Sequence, residues 1–315
     1  MNIVLCGTSF PDVAGYLKEA LPSDFDANFV VWNGDLKELP GRCDVMIPMM
    51  QRVDATLIDR AKPSLIQQWG SGLEGVDIAH AQRRGVAVAN VAADGGNADS
   101  VAEHAILLTL ALLRRLREAE NNVHRGTWGA PVGVNLAGRS VCIYGLGAIA
   151  LPLARRLRAF DVRLLGCTRD PKAEKVSTYG LDKCFGADQV EEALAETDIL
   201  IVCLRQSQSN ANAVGERELR ALPKGALVVN VARGGLIDYA ALSSCLADGH
   251  LGGVGLDVFW REPFDPSDPI LNYSHVVATP HIAGITSSGM RDIARGVADN
   301  IVRLATGDLI ENRAA

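Results

Sequence analysis

Short apolar runs alternate with longer stretches in which apolar positions recur every third or fourth residue, along almost the whole chain. The short runs read as buried parallel strands and the longer stretches as amphipathic helices, which is the pattern of parallel α/β architecture. In the first part, strands are predicted near residues 3–6, 29–32, 45–48 and 65–69, with helices near 12–20 and 54–61. A long helix is predicted over 100–123, carrying Ala102, Ala105, Ile106, Leu110 and Leu113 on one apolar stripe. Asn97-Ala98-Asp99-Ser100 offers it a polar start, and Glu103 stands three residues after Ser100, the spacing of a capping box. The second part resumes the alternation, with strands near 141–144, 162–167, 199–204, 227–231, 254–256 and 276–278. One further helix, 287–305, is ended by Gly307.

The strand Val141-Cys142-Ile143-Tyr144 runs directly into Gly145-Leu146-Gly147-Ala148-Ile149-Ala150, a G-x-G-x-x-A turn that opens a helix. In such a turn the first glycine permits the bend and the second lets the backbone approach a pyrophosphate. The small third residue lets helix and strand pack closely. Gly145, Leu146, Gly147, Ala148 and Ile149 are therefore candidate contacts for a dinucleotide, whose phosphates would rest on the N–H groups of the helix start. The fingerprint begins at residue 145 of 315, so a region of nearly half the chain precedes it. That position, together with the length, predicts two domains. Other chemically interesting residues follow the later strands in the same way: Thr168 and Arg169, Leu204 and Arg205, Ala232 and Arg233, Asp257, and His281. In open parallel sheets, ligands bind outside the carboxyl ends of the strands.

Composition narrows the choice of partners. A net charge of −6 gives no general attraction to nucleic acid or to acidic membranes. No apolar run approaches the roughly 20 residues needed to cross a bilayer. The start, Met1-Asn2-Ile3-Val4-Leu5-Cys6, reads as a buried strand and not as a leader. Seven cysteines are scattered without C-x-x-C or Cys/His clustering, so no metal site is expected. A thiol-reduced, cytoplasmic protein is the expectation.

Three segments carry the chemistry: Val229-Asn230-Val231-Ala232-Arg233-Gly234-Gly235, Leu256-Asp257-Val258-Phe259-Trp260-Arg261-Glu262-Pro263, and Ala278-Thr279-Pro280-His281-Ile282-Ala283. Taken singly, each has a plain structural reading: a lone histidine after a strand is usually a hydrogen-bonder, Glu262 caps a turn, and Arg233 anchors a loop. Together they place a permanent cation, a carboxylate and an imidazole at one sheet edge. An arginine clamps a carboxylate and polarises a neighbouring carbonyl. A histidine exchanges a proton near neutral pH, and a carboxylate on its other nitrogen sets the tautomer and raises its basicity. That is the equipment for reducing a 2-keto acid with hydride from a nicotinamide.

With these motifs in place, the chain resembles the D-isomer-specific 2-hydroxyacid dehydrogenases over nearly its whole length. The resemblance also rests on Gly70-Ser71-Gly72, Val101-Ala102-Glu103-His104 and Gly126-Thr127-Trp128. It implies two Rossmann-like or flavodoxin-like parallel-sheet domains with the active site in the cleft between them. Residues 1–97 and 284–315 would form the substrate-binding domain and 98–283 the NAD(P)-binding Rossmann domain. It implies His281 as acid/base, Glu262 as its carboxylate partner and Arg233 as the group holding the substrate's carboxylate and carbonyl oxygen. Ser71, Gly72 and Leu73 match the loop whose backbone N–H groups bind that carboxylate. Asp257 matches the residue that hydrogen-bonds the nicotinamide carboxamide. Formate-oxidising relatives pair their histidine with Gln, so Glu262 argues against that activity. The family implies a homodimer.

Several positions depart from the family pattern. NAD-preferring relatives carry an acid where Thr168 stands, and Arg169 follows it here. Thr168 and Arg169 suit a 2′-phosphate that a carboxylate would repel, so NADP is the expected cofactor, with NAD as the alternative. A one-residue shift of the turn would instead bring Asp170 to the ribose. Arg205 replaces a usual proline and reads either as a second cation for the phosphate or as a surface residue. Met49, Met50, Gln51 and Arg52 are candidates for the substrate pocket; Met49 has a core reading and Arg52 a solvated one. Serine-biosynthesis members often append regulatory domains, and the sequence read to Ala315 shows none, so 3-phosphoglycerate is the weaker expectation without being excluded; glyoxylate or hydroxypyruvate fits NADP use better. The expected function is reduction of such a 2-keto acid to the D-2-hydroxy acid. The competing readings are a non-catalytic, dinucleotide-sensing corepressor-like protein and a dehydrogenase of an unusual small anion.

Overall fold

The computed structural model describes residues 1–92 and 96–315. They form two compact units, Met1–Asn97 with Gly284–Ala315, and Ala98–Ala283.

In the first unit the chain runs through β1 (Asn2–Cys6), α1 (Val13–Ala20), β2 (Asn28–Trp32), β3 (Val45–Ile47), α2 (Ala55–Ala61), β4 (Leu65–Gln67), α3 (Ile78–Arg83) and β5 (Ala87–Ala89). The strands make a five-stranded parallel sheet in the order β2-β1-β3-β4-β5 among the described residues. Each of these helices starts on an aspartate. Asp12, Asp54 and Asp77 accept the N–H of Gly15, Leu57 and His80, which satisfies one of the donors that a helix start leaves without an intrahelical partner. Elements α3 and β5 are absent from the sequence expectations because α3 is a helix of only 6 residues and β5, Ala-Val-Ala, lacks the large apolar side chains that mark the other short strands. The outer side of β5 is paired by the chain end: Ala89 bridges Arg313, and Ala314 N–H donates to the Val88 carbonyl at 2.7 Å.

The second unit opens with α4 (Ala98–Leu113) and α5 (Leu116–His124). It continues through β6 (Ser140–Tyr144), α6 (Ala150–Leu157), β7 (Arg163–Cys167), α7 (Ala173–Tyr179), β8 (Lys183–Phe185), α8 (Val190–Ala195) and β9 (Ile199–Val202). It closes with α9 (Glu216–Ala221), β10 (Leu227–Asn230), α10 (Tyr239–Ala247), β11 (Gly253–Leu256) and β12 (Val276–Ala278). All seven strands are parallel, in the order β12-β11-β10-β9-β6-β7-β8. Strand order reverses between β6 and β9, which makes the turn after β6 the topological switch point of the sheet.

The long helix expected over 100–123 is two helices. Arg115 takes a left-handed conformation (φ 51°) between α4 and α5. The physical reason is burial: α4 sinks Val101, Ala102, Ala105, Leu108, Leu112 and Leu113 into the core, whereas α5 buries no side chain, so no packing force carries one helix axis through Arg114-Arg115. The expected capping box also fails. The helix begins at Ala98, Ser100 is buried inside its first turn, and the Glu103 carboxylate accepts from Arg156 Nη2 at 2.9 Å.

The chain then returns to the first unit as α11 (Ser287–Thr306), which starts on the Thr286 hydroxyl and stops at Gly307 (φ 79°). Its buried residues Met290, Ile293, Ala294, Val297, Ala298 and Ile301 keep the three-to-four spacing of one helix face. Asn300 lies on that face too, 2% exposed. Its Nδ2 donates to Gln67 Oε1 at 2.8 Å and to the Glu311 carbonyl at 3.0 Å, while its Oδ1 accepts the Glu311 N–H at 2.8 Å. One side chain thus ties α11, the end of β4 and the C-terminal segment together. Among the described residues no helix is long and apolar enough to cross a membrane.

Replacing Asn300 by Leu strands the buried Gln67 amide oxygen and the part-buried backbone N–H and carbonyl of Glu311. It should lower the unfolding free energy by about 2 kcal/mol, since an unsatisfied buried group costs roughly 1–3 kcal/mol. Urea unfolding followed by circular dichroism checks this, and an unchanged midpoint would contradict the role given to Asn300.

Candidate active site

The turn after β6 shows why its residues are small. Gly145 has φ 105°, and a Cβ there would lie 2.8 Å from the backbone of Cys203 and Leu204 beside it. Only glycine satisfies both limits. A Cβ on Gly147 would meet no protein atom within 4 Å, so a side chain there would fill the cradle in front of the turn. The Ala150 N–H bonds back to the Gly147 carbonyl at 3.1 Å, and α6 begins with no side chain capping its first turn. The Tyr179 hydroxyl donates to the Leu146 carbonyl at 3.0 Å and holds the loop in place. A helix start that no side chain caps, behind a side-chain-free cradle, fits the pyrophosphate of a dinucleotide.

At the end of β7, Thr168 is half-buried and Arg169 exposed. Lys175, on α7, donates to Thr168 Oγ1 at 3.1 Å and adds an ammonium group that the sequence reading did not include. Nothing in the local spacing signals it, because the contact depends on how α7 folds back on β7. The Asp170 carboxylate pairs with Lys172 Nζ at 2.9 Å. Past β9, Leu204 is half-buried and Arg205 is exposed, its carbonyl accepting from Asn210 Nδ2 at 2.8 Å.

The chemistry gathers past β10, β11 and β12. Asn230, fully buried, accepts the Ala232 N–H at 3.0 Å and donates to the Arg233 carbonyl at 2.9 Å, which shapes the turn that presents Arg233. Arg233 is half-buried and also donates to the Ala232 carbonyl at 2.8 Å. A Cβ on Gly234 would come within 2.1 Å of the Phe259 carbonyl carbon, so the β10 and β11 loops touch backbone to side-chain-free backbone. Trp260 fastens them further: its indole N–H donates to the Ile237 carbonyl at 2.6 Å, and its ring meets Tyr239 edge-on at 4.9 Å.

Glu262 is thereby held with one oxygen accepting the Phe259 N–H at 3.0 Å and the other 2.8 Å from His281 Nδ1. Burial on its own would raise the carboxyl pKa. The hydrogen bond and charge of His281, the Phe259 N–H and the Arg233 guanidinium outweigh it and hold Glu262 below the usual carboxylate range. An ionised carboxylate only accepts, so Nδ1 of His281 carries the proton and Nε2 is left to exchange one with a ligand. His281 itself sits at φ 55°, in the left-handed region. Its neighbours Ile282 and Ala283 donate their N–H groups to the two oxygens of Asp257 at 2.9 and 2.8 Å. Asp257 is fully buried; desolvation would raise its pKa, but the bonds from His104, Thr279, Ala283 and Ile282 bring it below the ordinary value.

Ser71, Gly72 and Leu73 lie in the first unit, in the turn beyond β4; Ser71 is exposed and its carbonyl accepts from Asn90 Nδ2 at 2.7 Å. Met49, a candidate for the substrate pocket, belongs to the core at 4% exposure, with φ 52° and its carbonyl bonded by Gln68 Nε2 at 2.9 Å. Met50 is half-buried, and Gln51 and Arg52 are exposed.

Residues 106–283 match the family model described as "D-isomer specific 2-hydroxyacid dehydrogenase, NAD binding domain". The chain is 32% identical over 280 residues to a D-3-phosphoglycerate dehydrogenase of Archaeoglobus fulgidus, covering 88% of this chain and 52% of that protein, so it spans about half that relative's length. It is 30% identical to a glyoxylate reductase of Korarchaeum cryptofilum, over 86% of this chain and 82% of the relative. A solved structure described as the pyruvate reductase of Chlamydomonas reinhardtii superposes with a TM-score of 0.83 at 28% identity, covering 99% of this chain and 98% of that one.

The charge on Glu262 links the site to stability. Its pKa is lowered in the folded state, so its contribution is complete above the unfolded carboxylate value and is lost as pH falls through the folded one. Glu262→Gln should therefore flatten the fall in urea midpoint between neutral and acid pH. Parallel slopes for variant and wild type would show that Glu262 contributes nothing to it.

Proposed function

Because the chain belongs to the D-isomer-specific 2-hydroxyacid dehydrogenases, we propose that it reduces a small 2-keto acid to the D-2-hydroxy acid, with glyoxylate or hydroxypyruvate as substrate and NADP(H) preferred. The observation that carries this is the 2.8 Å bond from His281 Nδ1 to an ionised Glu262, with the Arg233 cation beside it. The nicotinamide dinucleotide, when bound, supplies or takes up the hydride. His281 holds a proton on Nε2 and gives it to the substrate's carbonyl oxygen in reduction, or takes the hydroxyl proton in oxidation. Glu262 stabilises the imidazolium between the two events and keeps Nε2 free for the exchange. Arg233 grips the substrate carboxylate and draws electron density from the adjacent carbonyl. Ser71, Gly72 and Leu73 are assigned to substrate binding through their backbone N–H groups, and with them residues 1–97 and 284–315 to the substrate-binding domain.

The NADP preference is supported by the end of β7. Thr168, Arg169 and Lys175 bring a hydroxyl and two cations to the place where NAD-preferring relatives carry an acid, and Asp170 is taken up by Lys172. Exposed Arg205 is assigned to the same phosphate as a second-rank contact. Glyoxylate is favoured by the similarity to the archaeal glyoxylate reductase. A homodimer is supported by the apolar side chains left on the surface of the second unit: Trp128 at 94%, Val132 at 82% and Val123 at 77% exposure, with Leu107 and Val134. The cysteines are all free and six are buried, in keeping with a reducing cytoplasm.

Initial rates with NADPH and NADH against glyoxylate, hydroxypyruvate, pyruvate and phenylpyruvate test the reading, together with dinucleotide binding by fluorescence. His281→Ala should abolish turnover and leave NADPH binding intact; full turnover in that variant removes the acid/base assignment. Arg169→Ala and Lys175→Ala should each weaken NADPH about tenfold, one charge-assisted contact being worth roughly 1.5–3 kcal/mol, with little change for NADH. Equal losses for both dinucleotides would exclude the phosphate role.

A further inference from the structure

The second unit holds another imidazole close to His281 in connectivity although 177 residues before it in sequence. His104 stands on α4 with its side chain 10% exposed. Its Nε2 is 2.8 Å from Thr279 Oγ1 and 3.4 Å from Asp257 Oδ1. Thr279 Oγ1 is 2.6 Å from that same Asp257 oxygen. The threonine hydroxyl has one proton, and the ionised Asp257 can only accept, so the hydroxyl donates to Asp257 and presents its lone pairs to His104. Nε2 of His104 is therefore the protonated nitrogen. The result is a directed relay, His104 to Thr279 to Asp257, whose far end accepts the backbone N–H groups of Ile282 and Ala283.

What this relay controls follows from the backbone it grips. His281 has φ 55°, a conformation that a non-glycine residue keeps only where its surroundings over-determine it. On its N-terminal side lies Thr279, whose carbonyl takes the His281 N–H at 3.0 Å and whose side chain is the middle member of the relay. On its C-terminal side lie the two N–H groups held by Asp257. His281 is thus clamped on both flanks by one hydrogen-bonded chain, and the direction of its Nε2 is set by that clamp together with Glu262. Asp257, fully buried and bonded by four groups of this chain, works here as the anchor of the segment.

We propose that His104 is a positioning residue for His281: by donating through Thr279 to Asp257 it fixes the left-handed backbone at residue 281 and so the aim of the proton-exchanging nitrogen. The proposal rests on the acid/base role assigned to His281 above. It requires only a donor of the right reach at residue 104. Glutamine, whose amide nitrogen lies at a distance from the backbone comparable to that of histidine Nε2, can therefore stand in for it, and leucine cannot.

The test compares His104→Leu, His104→Gln, Thr279→Val and the double variant His104→Leu/Thr279→Val, with glyoxylate and NADPH. His104→Leu and Thr279→Val should each lower kcat by roughly tenfold to a hundredfold, the scale of misplacing a reacting group by about 1 Å. The KM for glyoxylate and the dissociation constant of NADPH should stay within about twofold, because the loss falls on the chemical step and not on binding. His104→Gln should recover most of the kcat. The double variant should be no worse than the poorer single one, since both break the same relay. Full kcat in His104→Leu, a loss that tracks NADPH affinity or thermal stability, or failure of glutamine to restore turnover would each overturn the proposal. Thr279→Val and His104→Gln decide the matter if His104→Leu does not fold. His281→Ala, run alongside, separates the two failures: turnover surviving there removes the acid/base reading, while an inactive His281→Ala with an unaffected His104→Leu removes only the role of His104.

Discussion

The constraint on which the rest depends is that every strand of the seven-stranded sheet points the same way. A parallel strand delivers whatever follows it to one edge, so Gly145, Thr168, Cys203, Val231, Asp257 and Thr279 all begin their loops on the same side. Turns of a few residues are then enough to bring a cradle, a cation, a carboxylate and an imidazole together. Residues that touch here come from strands separated by long stretches of chain, and no local sequence preference would have assembled them.

The edge has a physical cost, since it buries charge. Asp257 is fully out of solvent and Glu262 largely so, and for both the desolvation penalty is the largest single influence on ionisation. Both remain below the usual carboxylate range because backbone N–H groups and imidazoles are aimed at them. The same bonds that keep them charged also hold the loops after β11 and β12, so electrostatics and geometry are one arrangement here. The carboxylates need fixed donors to stay ionised, and the loops need fixed acceptors to keep a histidine in a left-handed backbone.

The dinucleotide end follows a different logic. The turn after β6 works by what is missing, because side chains at Gly145 or Gly147 would strike the neighbouring strand or fill the cradle. The end of β7 differs in carrying charge. Arg169 and Lys175 there are a local concentration of positive charge in a protein whose net charge is negative, set by how α7 folds back on β7 and not by overall composition.

Much of the architecture was legible in the sequence, because strand and helix periods, the glycine turn and the Arg–Glu–His segments are written in neighbouring residues. The family model covering residues 106–283 agrees with that reading. Three things were not legible. The helix break at Arg115 depends on α5 having nothing to bury against, and β5 (Ala-Val-Ala) and β8 (Lys-Cys-Phe) lack the run of large apolar residues that marks the other short strands. The pairings Lys175–Thr168, Asp170–Lys172 and His104–Thr279 belong to tertiary contact. The sequence by itself determined which kinds of chemistry are present, because residue type and spacing set what a turn can bind and what a side chain can donate. Only the tertiary structure decided which donor meets which acceptor, because hydrogen bonds act over about 3 Å and the chain brings residues that close only after its sheets have formed.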